Sequence, residues 1–173
     1  KDWQGADVTQ DKVVRIGGAS GFWGDSAVGA PQLVASGQID FLVFDYLAEV
    51  TMAILSRAKA RDEGLGYAVD FVTVAMKGVL QDCAKKGIKV VANAGGVNVP
   101  SCIQALESLC SELGISLKIA GVYGDDLSKR TGELAAMGLA EMQTGKPLPE
   151  KLASINAYLG ARPIADALDA GAD

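Results

Sequence analysis

Apolar runs alternate along the chain with segments in which apolar residues recur every three or four positions. The runs predict strands, because strands inside a parallel sheet are buried on both faces. They cover residues 13–16, 39–47, 88–96 (the third strand together with its loop) and 116–126. The other segments predict helices over residues 26–36, 49–61, 68–86, 100–113 and 127–142, with a last helix from Pro163. This order is typical of an α/β fold, and we predict a Rossmann-like three-layer sandwich with a mostly parallel sheet.

The length of the chain fits one domain, and we treat residues 1–173 as a single α/β domain. The chain begins with Lys1 rather than methionine. Its last residues, Gly171 to Asp173, resemble a turn that leads into another strand. We therefore expect the protein to continue beyond residue 173.

The charge balance argues against two classes of partner. The formal net charge is −5 and no run of lysine or arginine occurs, whereas nucleic acid or an anionic membrane requires a basic surface. The apolar runs are also too short to span a bilayer. The three cysteines lack the spacing of a metal site, which favours free, packed thiols in a cytoplasmic protein.

Small, acidic and amide residues recur where the predicted strands end, and ligands of open parallel sheets bind beyond these carboxyl ends. We therefore predict a site for a small-molecule ligand there. The chain has no histidine, so acid–base chemistry falls to other groups, and we assign it to Asp45, Glu49 and Asp125. The predicted ligand-binding residues are Gly17, Gly18, Ser20, Gly21, Asp25, Tyr46, Asn93, Gly95, Gly96, Asn98, Gly124, Asp126 and Asn156.

Alternative interpretations of these residues stay open. Asp45 and Glu49 could hold a divalent cation together with Asp125 or Asp126. In the structural interpretation, the aspartates cap the helices that follow them and the asparagines form turns. The sequence identifies no cofactor and no metal site.

The stretch RIGGASGFWGDS, residues 15–26, has three interpretations: a tight turn, a ligand loop or a dinucleotide-binding loop. Asp45 stands where a ribose-binding acid would be expected. Asp25, however, is predicted at the start of a helix, where it would cap the helix and repel a pyrophosphate. No tyrosine is followed four residues later by lysine, so a short-chain dehydrogenase lacks its catalytic pair. Phe22 and Trp23 are expected to pack on a neighbouring element or partner subunit.

A series of motifs runs through the chain: RIGGASGFWGDS, DFLVFDYLAEVTMAIL, GYAVDFV, IKVVANAGGVN, GVYGDDL and NAYLGARPIADALDAGAD. Together they resemble the amino-terminal domain of the acyclic terpene utilisation (AtuA-like) family over almost the whole chain. The resemblance implies a place in the degradation of acyclic terpenes, such as citronellol and geraniol, through acyl-CoA thioesters. It supplies no catalytic residues, so the predicted site rests on the strand ends.

Two functions of different classes follow. The first is an enzyme that acts on a carboxylate or acyl-CoA-type intermediate, and a nucleotide-binding oxidoreductase ranks below it. The second is a non-catalytic ligand-binding or assembly subunit. For either function we expect a homo-oligomer or contact with a further carboxyl-terminal region.

Overall fold

A computed structural model describes residues 13–173, and residues 1–12 of the predicted domain lie outside this range. Its sheet has three parallel strands in the order β1-β2-β3. The strands are β1 (Ile16–Ser20), β2 (Phe41–Phe44) and β3 (Lys89–Ala92). The α-helices are α1 (Gly29–Ser36), α2 (Glu49–Arg61), α3 (Lys77–Lys86), α4 (Val99–Leu113), α5 (Thr131–Ala136) and α6 (Arg162–Asp169). The structure thereby confirms an α/β fold with a parallel sheet.

The core lies between the sheet and the helices α1, α3 and α4. Leu42 of β2 is fully buried, and Phe44 packs edge-to-face on Phe71 with the ring centroids 5.2 Å apart. Phe71 begins a π-helical turn, Phe71–Met76, that continues directly into α3. Burying apolar side chains of this size is the main favourable contribution to folding.

Several predicted elements differ from the observed ones in their bounds. Helix α2 has the predicted bounds, whereas the helix predicted over residues 127–142 is confined to a short 3-10 turn and α5. Strand β1 lies further along the chain than predicted because Gly17 and Gly18 belong to it. A Cβ on Gly17 would lie 3.2 Å from side-chain atoms of Ile39 and Leu33, so the glycine allows close packing there.

The predicted fourth strand, residues 116–126, is not a strand of this sheet. Its side chains do alternate, since Leu117 and Ile119 pack towards the core while Lys118 and Ala120 are exposed. Residues 116–126 form no backbone hydrogen-bond ladder with β3, because Asp173 lies between the two segments and bonds to both. The three-layer sandwich therefore stays a prediction. Between residues 13 and 173, no helix is long and apolar enough to cross a membrane.

Asp173 provides a pH-dependent contribution to stability. Its carboxylate accepts a hydrogen bond from Lys118 N (2.8 Å) and pairs with Lys89 Nζ (2.7 Å). The Lys118 N–H, and then the Lys89 ammonium, hold the pKa of this carboxyl below its ordinary value. A depressed pKa stabilises the folded state above the unfolded pKa, about 3.9, and the contribution is lost as the pH falls through the folded value.

We expect Asp173→Asn to lower the free energy of unfolding by about 1 kcal/mol at pH 7. The difference from the wild type should shrink towards zero as urea unfolding is repeated at falling pH below 4. Asp82→Asn is the matched control, because Asp82 is exposed in α3 and its side chain makes no hydrogen bond with the described residues. A difference that is independent of pH would contradict this account.

Candidate functional site

The first part of the site is a carboxylate–amide pair that joins the ends of two neighbouring strands. Asp45 follows β2, and Asn93 follows β3. Asn93 Nδ2 donates to Asp45 Oδ1 (2.7 Å), while Asn93 Oδ1 accepts from Tyr46 N (2.7 Å). The side chain of Asn93 therefore fixes the loop after β2 and orients the carboxylate. Asp45 Oδ2 makes no hydrogen bond with the residues that the structure describes and is free to meet a ligand.

A second carboxylate–amide pair follows the extended segment of residues 116–124. Asn156 Nδ2 donates to Asp125 Oδ2 (2.9 Å), and Ala157 N donates to the backbone oxygen of Asp125 (2.8 Å). One antiparallel bridge joins Asp126 to Asn156. Asn156, far along the chain, thus positions Asp125 as Asn93 positions Asp45.

Both pairs line one cavity of about 1000 Å³. The predicted site residues in its lining are Asp45, Glu49, Asn93, Gly95, Gly96, Asp125 and Asn156. They form its polar end, at the carboxyl ends of β2 and β3, as expected for a parallel sheet. The rest of the lining is mainly apolar and runs between β3 and residues 117–122, down to Lys118 and Asp173.

Asp45 does not cap the helix that follows it. Helix α2 begins after Ala48, and no side chain caps it, while Glu49 lies exposed in its first turn. An acid in the first turn still interacts favourably with the helix dipole. Within residues 13–173, no three His, Cys, Asp or Glu side chains come together as metal ligands. The divalent-cation interpretation of these acids therefore has no ligand set in the described part of the chain.

The residues of the glycine-rich loop between β1 and α1 do not line this cavity, and the loop closes on itself. Asp25 Oδ2 accepts from Gly21 N (2.8 Å), so Asp25 is not the predicted cap of α1. Ser26 Oγ accepts instead from Val28 N (3.3 Å) and Gly29 N (3.1 Å). A phosphate cradle needs free backbone N–H groups, and the loop uses these three internally. Its predicted site residues, which do not line the cavity, are Gly17, Gly18, Ser20, Gly21 and Asp25.

Other predicted ligand-binding residues also lie outside the cavity lining: Tyr46, Asn98, Gly124 and Asp126. Asn98 is buried, and its Nδ2 donates to the backbone oxygens of Glu63 (2.8 Å) and Leu65 (2.6 Å). Asp126 Oδ1 accepts from Ser128 N (2.9 Å), and hydrogen bonds from Ser128 lower the pKa of this carboxyl. Both side chains therefore hold turns.

Tyr46 belongs to the aromatic core. Burial, and then the charge of Asp70, raise the pKa of its hydroxyl. Nearby, Trp23 Nε1 donates to Asp70 Oδ1 (2.6 Å), so Trp23 packs on a neighbouring element as predicted, whereas Phe22 is 60% exposed.

Met52, Ser154 and Tyr158 also line the cavity, although none of them is among the predicted acid–base or ligand-binding residues. Met52 belongs to the apolar stripe of α2, which has the same spacing whether it faces a core or a cavity. Tyr158 is 98% exposed and follows Asn156 by two residues, so its position next to a site residue was the available signal.

The three cysteines are free and buried, as their spacing predicted. Burial raises the pKa of the Cys83 and Cys102 thiols to about 11.

Because the thiolate is the reactive form, we expect Cys83 and Cys102 to react with a thiol reagent at pH 8 about a hundredfold more slowly in the folded protein than in urea. Stopped-flow thiol titration of single-cysteine variants tests this. Native Cys102 reacting at the unfolded rate would contradict it.

Comparison with known proteins identifies the family. The family model described as acyclic terpene utilisation family protein AtuA matches residues 14–173. The chain belongs to the AtuA family. This match confirms the resemblance in the motifs and makes the AtuA chain a metabolic protein associated with terpene utilisation. No curated protein and no solved structure gives a significant match.

Proposed function

We propose that this AtuA chain is an enzyme that acts on a carboxylate or acyl-CoA-type intermediate of terpene degradation. One observation carries the proposal: the Asp45–Asn93 and Asp125–Asn156 pairs line the same cavity, whose polar end lies at the carboxyl ends of β2 and β3. Two acids, each held by an amide, supply a base and an acid without histidine.

The chemistry of the pairs suits a carbonyl-containing substrate. A carboxamide has two N–H donors, and Asn93 and Asn156 each give one to an aspartate. The second N–H of each makes no hydrogen bond with the described residues and, in this proposal, donates to a thioester or carboxylate oxygen. In this proposal the free oxygen of Asp45 accepts a proton from the substrate, and Asp125 is the second acid–base group. The wall formed by Met52 and Val99 offers apolar contact to a hydrocarbon chain.

A non-catalytic ligand-binding or assembly subunit is the second candidate. Ile16 and Phe22 are 67% and 60% exposed, and large exposed apolar side chains occur at subunit interfaces. We propose homo-oligomer formation through this surface as part of that candidate. Sedimentation equilibrium of the wild type and Phe22→Ser tests it, and a monomer at all concentrations would argue against it.

We also propose that the protein is cytoplasmic and that its fold is a three-layer sandwich. Free, buried Cys83, Cys102 and Cys110 support a reducing compartment. The internally bonded loop of Gly21 and Asp25 weighs against the nucleotide-binding oxidoreductase.

Calorimetric titration tests the proposed ligand class. The probes are a coenzyme A thioester of a geraniol-derived acid, the free acid, and coenzyme A alone. We expect saturable binding of the thioester or the free acid, and weak or no binding of coenzyme A, because the site addresses the carbonyl. Binding of coenzyme A alone with the same affinity, or no binding of any probe, would contradict the proposal.

A further inference from the structure

A groove separates β3 from the extended residues 117–122, and Asp173 joins its two sides. Val90 N donates to the main-chain oxygen of Asp173 (2.8 Å), and Asp173 N donates to Lys118 O (2.9 Å). The side chain of Asp173 bonds to the same two segments, through Lys89 Nζ and Lys118 N. One residue is thus bonded to both walls.

The hydrogen bonds of Asp173 to both walls indicate the width of the groove. Neighbouring strands of a sheet lie about 4.8 Å apart. Since a single residue reaches both walls by backbone hydrogen bonds, β3 and residues 117–122 are two such spacings apart at the level of Asp173. This separation accommodates one extended polypeptide strand.

Both walls present backbone groups to the groove that make no backbone hydrogen bond with residues 13–173. Lys89 N donates towards β2 and Val90 N towards Asp173, so alternation along a strand directs Ala92 N into the groove. On the other wall Lys118 faces the groove, and Ala120 does so by the same alternation. Within the described chain, the backbone groups of residues 119–124 make no backbone hydrogen bond. Unpaired edges of this kind are templates for strand addition.

Apolar side chains line the groove along its length. Ile103 and Leu106 come from α4, and Ile164 and Leu168 come from α6. In β3, Val90 and Val91 are only half-buried, whereas Leu42 of the neighbouring strand β2 is fully buried. An occupant with apolar side chains on both faces would bury these walls.

We propose that the groove receives an additional parallel β-strand that leads directly on from Asp173. Asp173 lies between the two edges. The residue that follows it would therefore lie between Val90 and Ala92 on one side and Lys118 and Ala120 on the other. This position identifies the continuing chain as the occupant of the groove. Helix α6 then serves as the crossover that returns the chain from residues 117–122 to this position, as parallel strands require.

The added strand completes the sheet in the order β1-β2-β3, new strand, residues 117–122. Its carboxyl end arrives between the loops that carry Asn93 and Asp125. The residues that follow it therefore form part of the rim of the site, and the polar end of the cavity remains for a ligand. This inference does not depend on the proposed activity.

Extensions of the chain after Asp173 test the proposal. We would append five β-branched apolar residues, and compare this variant with one carrying five Gly/Ser residues and one whose β-branched segment has proline at its second residue. Amide hydrogen exchange is measured by NMR, together with urea unfolding. We expect the β-branched extension to slow exchange at Ala92 and Ala120 by at least about tenfold and to raise the urea midpoint.

The protein contains its own control amides. Val91 N points to β2 and Ile119 N points away from the groove by the same alternation, so the change in their exchange should be smaller than at Ala92 and Ala120. The Gly/Ser and proline variants should show no added protection. If the five-residue extension is insoluble, a three-residue β-branched extension carries the same expectation at Ala92 and Ala120.

Three results would overturn the inference. The first is unchanged exchange at Ala92 and Ala120 in a soluble β-branched variant. The second is equal protection by the proline or Gly/Ser segment. The third is protection of these amides in the unextended chain that grows with protein concentration, because a second copy would then occupy the groove.

Discussion

Replacing Asp45 with asparagine should lower turnover of the thioester substrate by about 10²–10⁴-fold, the usual contribution of a general base. Asparagine has nearly the same shape, and its Oδ1 can still accept the hydrogen bond from Asn93 Nδ2. The substitution therefore removes the base while it keeps the arrangement of the loop. Steady-state kinetics should show the loss mainly in kcat, with substrate affinity changed less.

Asp62→Asn is the matched control for Asp45→Asn. Asp62 Oδ1 accepts from Gly64 N (2.8 Å) in a surface turn, and Asp62 does not line the cavity. Its substitution makes the same change in charge and should leave turnover within about twofold of the wild type. Unchanged turnover in Asp45→Asn would contradict the role of Asp45. Absence of turnover in the wild type would favour the non-catalytic subunit.

Gly96→Ala should lower the free energy of unfolding by about 3 kcal/mol, from a left-handed backbone and from overpacking. Gly96 has φ +54°, which L side chains rarely adopt. A Cβ there would lie 2.7 Å from the backbone oxygen of Gly66 and would also clash with Leu55 Cδ1. Gly66 O accepts from Val97 N (2.9 Å), so it has little room to move.

Urea unfolding measures this loss, and Gly78→Ala controls for a change from glycine to alanine. Gly78 lies exposed within α3, and a Cβ there would meet nothing within 4 Å. Alanine should stabilise that helix by about 0.5–1 kcal/mol. If Gly96→Ala has the same free energy of unfolding as the wild type, this contradicts the close packing of the loop after β3 against α2. Ligand affinity should fall in Gly96→Ala, because the same loop carries Asn93.

The periodicity of the sequence predicted the parallel sheet, because β2 and β3 are apolar on both faces and are bounded by turn residues. Helix α2 followed from the spacing of Met52 and Leu55. The bounds of β1 could not be predicted, because Gly17 and Gly18 are typical of a loop and the packing of Gly17 against Ile39 and Leu33 is not visible in the sequence. Tertiary contacts determined that assignment, as they often do for glycine in strands.

The site could be predicted only in outline. Strand ends indicated Asp45, Asn93, Asp125 and Asn156 as candidates, and the structure places all four in the lining of one cavity. The pairing of each acid with its amide could not be predicted, because the partners are 48 and 31 residues apart. The internal bonding of the glycine loop could not be predicted either, since glycine spacing does not show that Asp25 bonds to Gly21 N.

Hydrogen exchange with and without ligand tests the central claim most directly: the site lies at the two carboxylate–amide pairs. The thioester probe is added to the protein at saturation, and exchange is followed by mass spectrometry. We predict slower exchange in residues 93–98 and 125–128, with residues 20–29 of the glycine loop unchanged. Protection confined to residues 20–29, with none at residues 93–98 or 125–128, would contradict the claim.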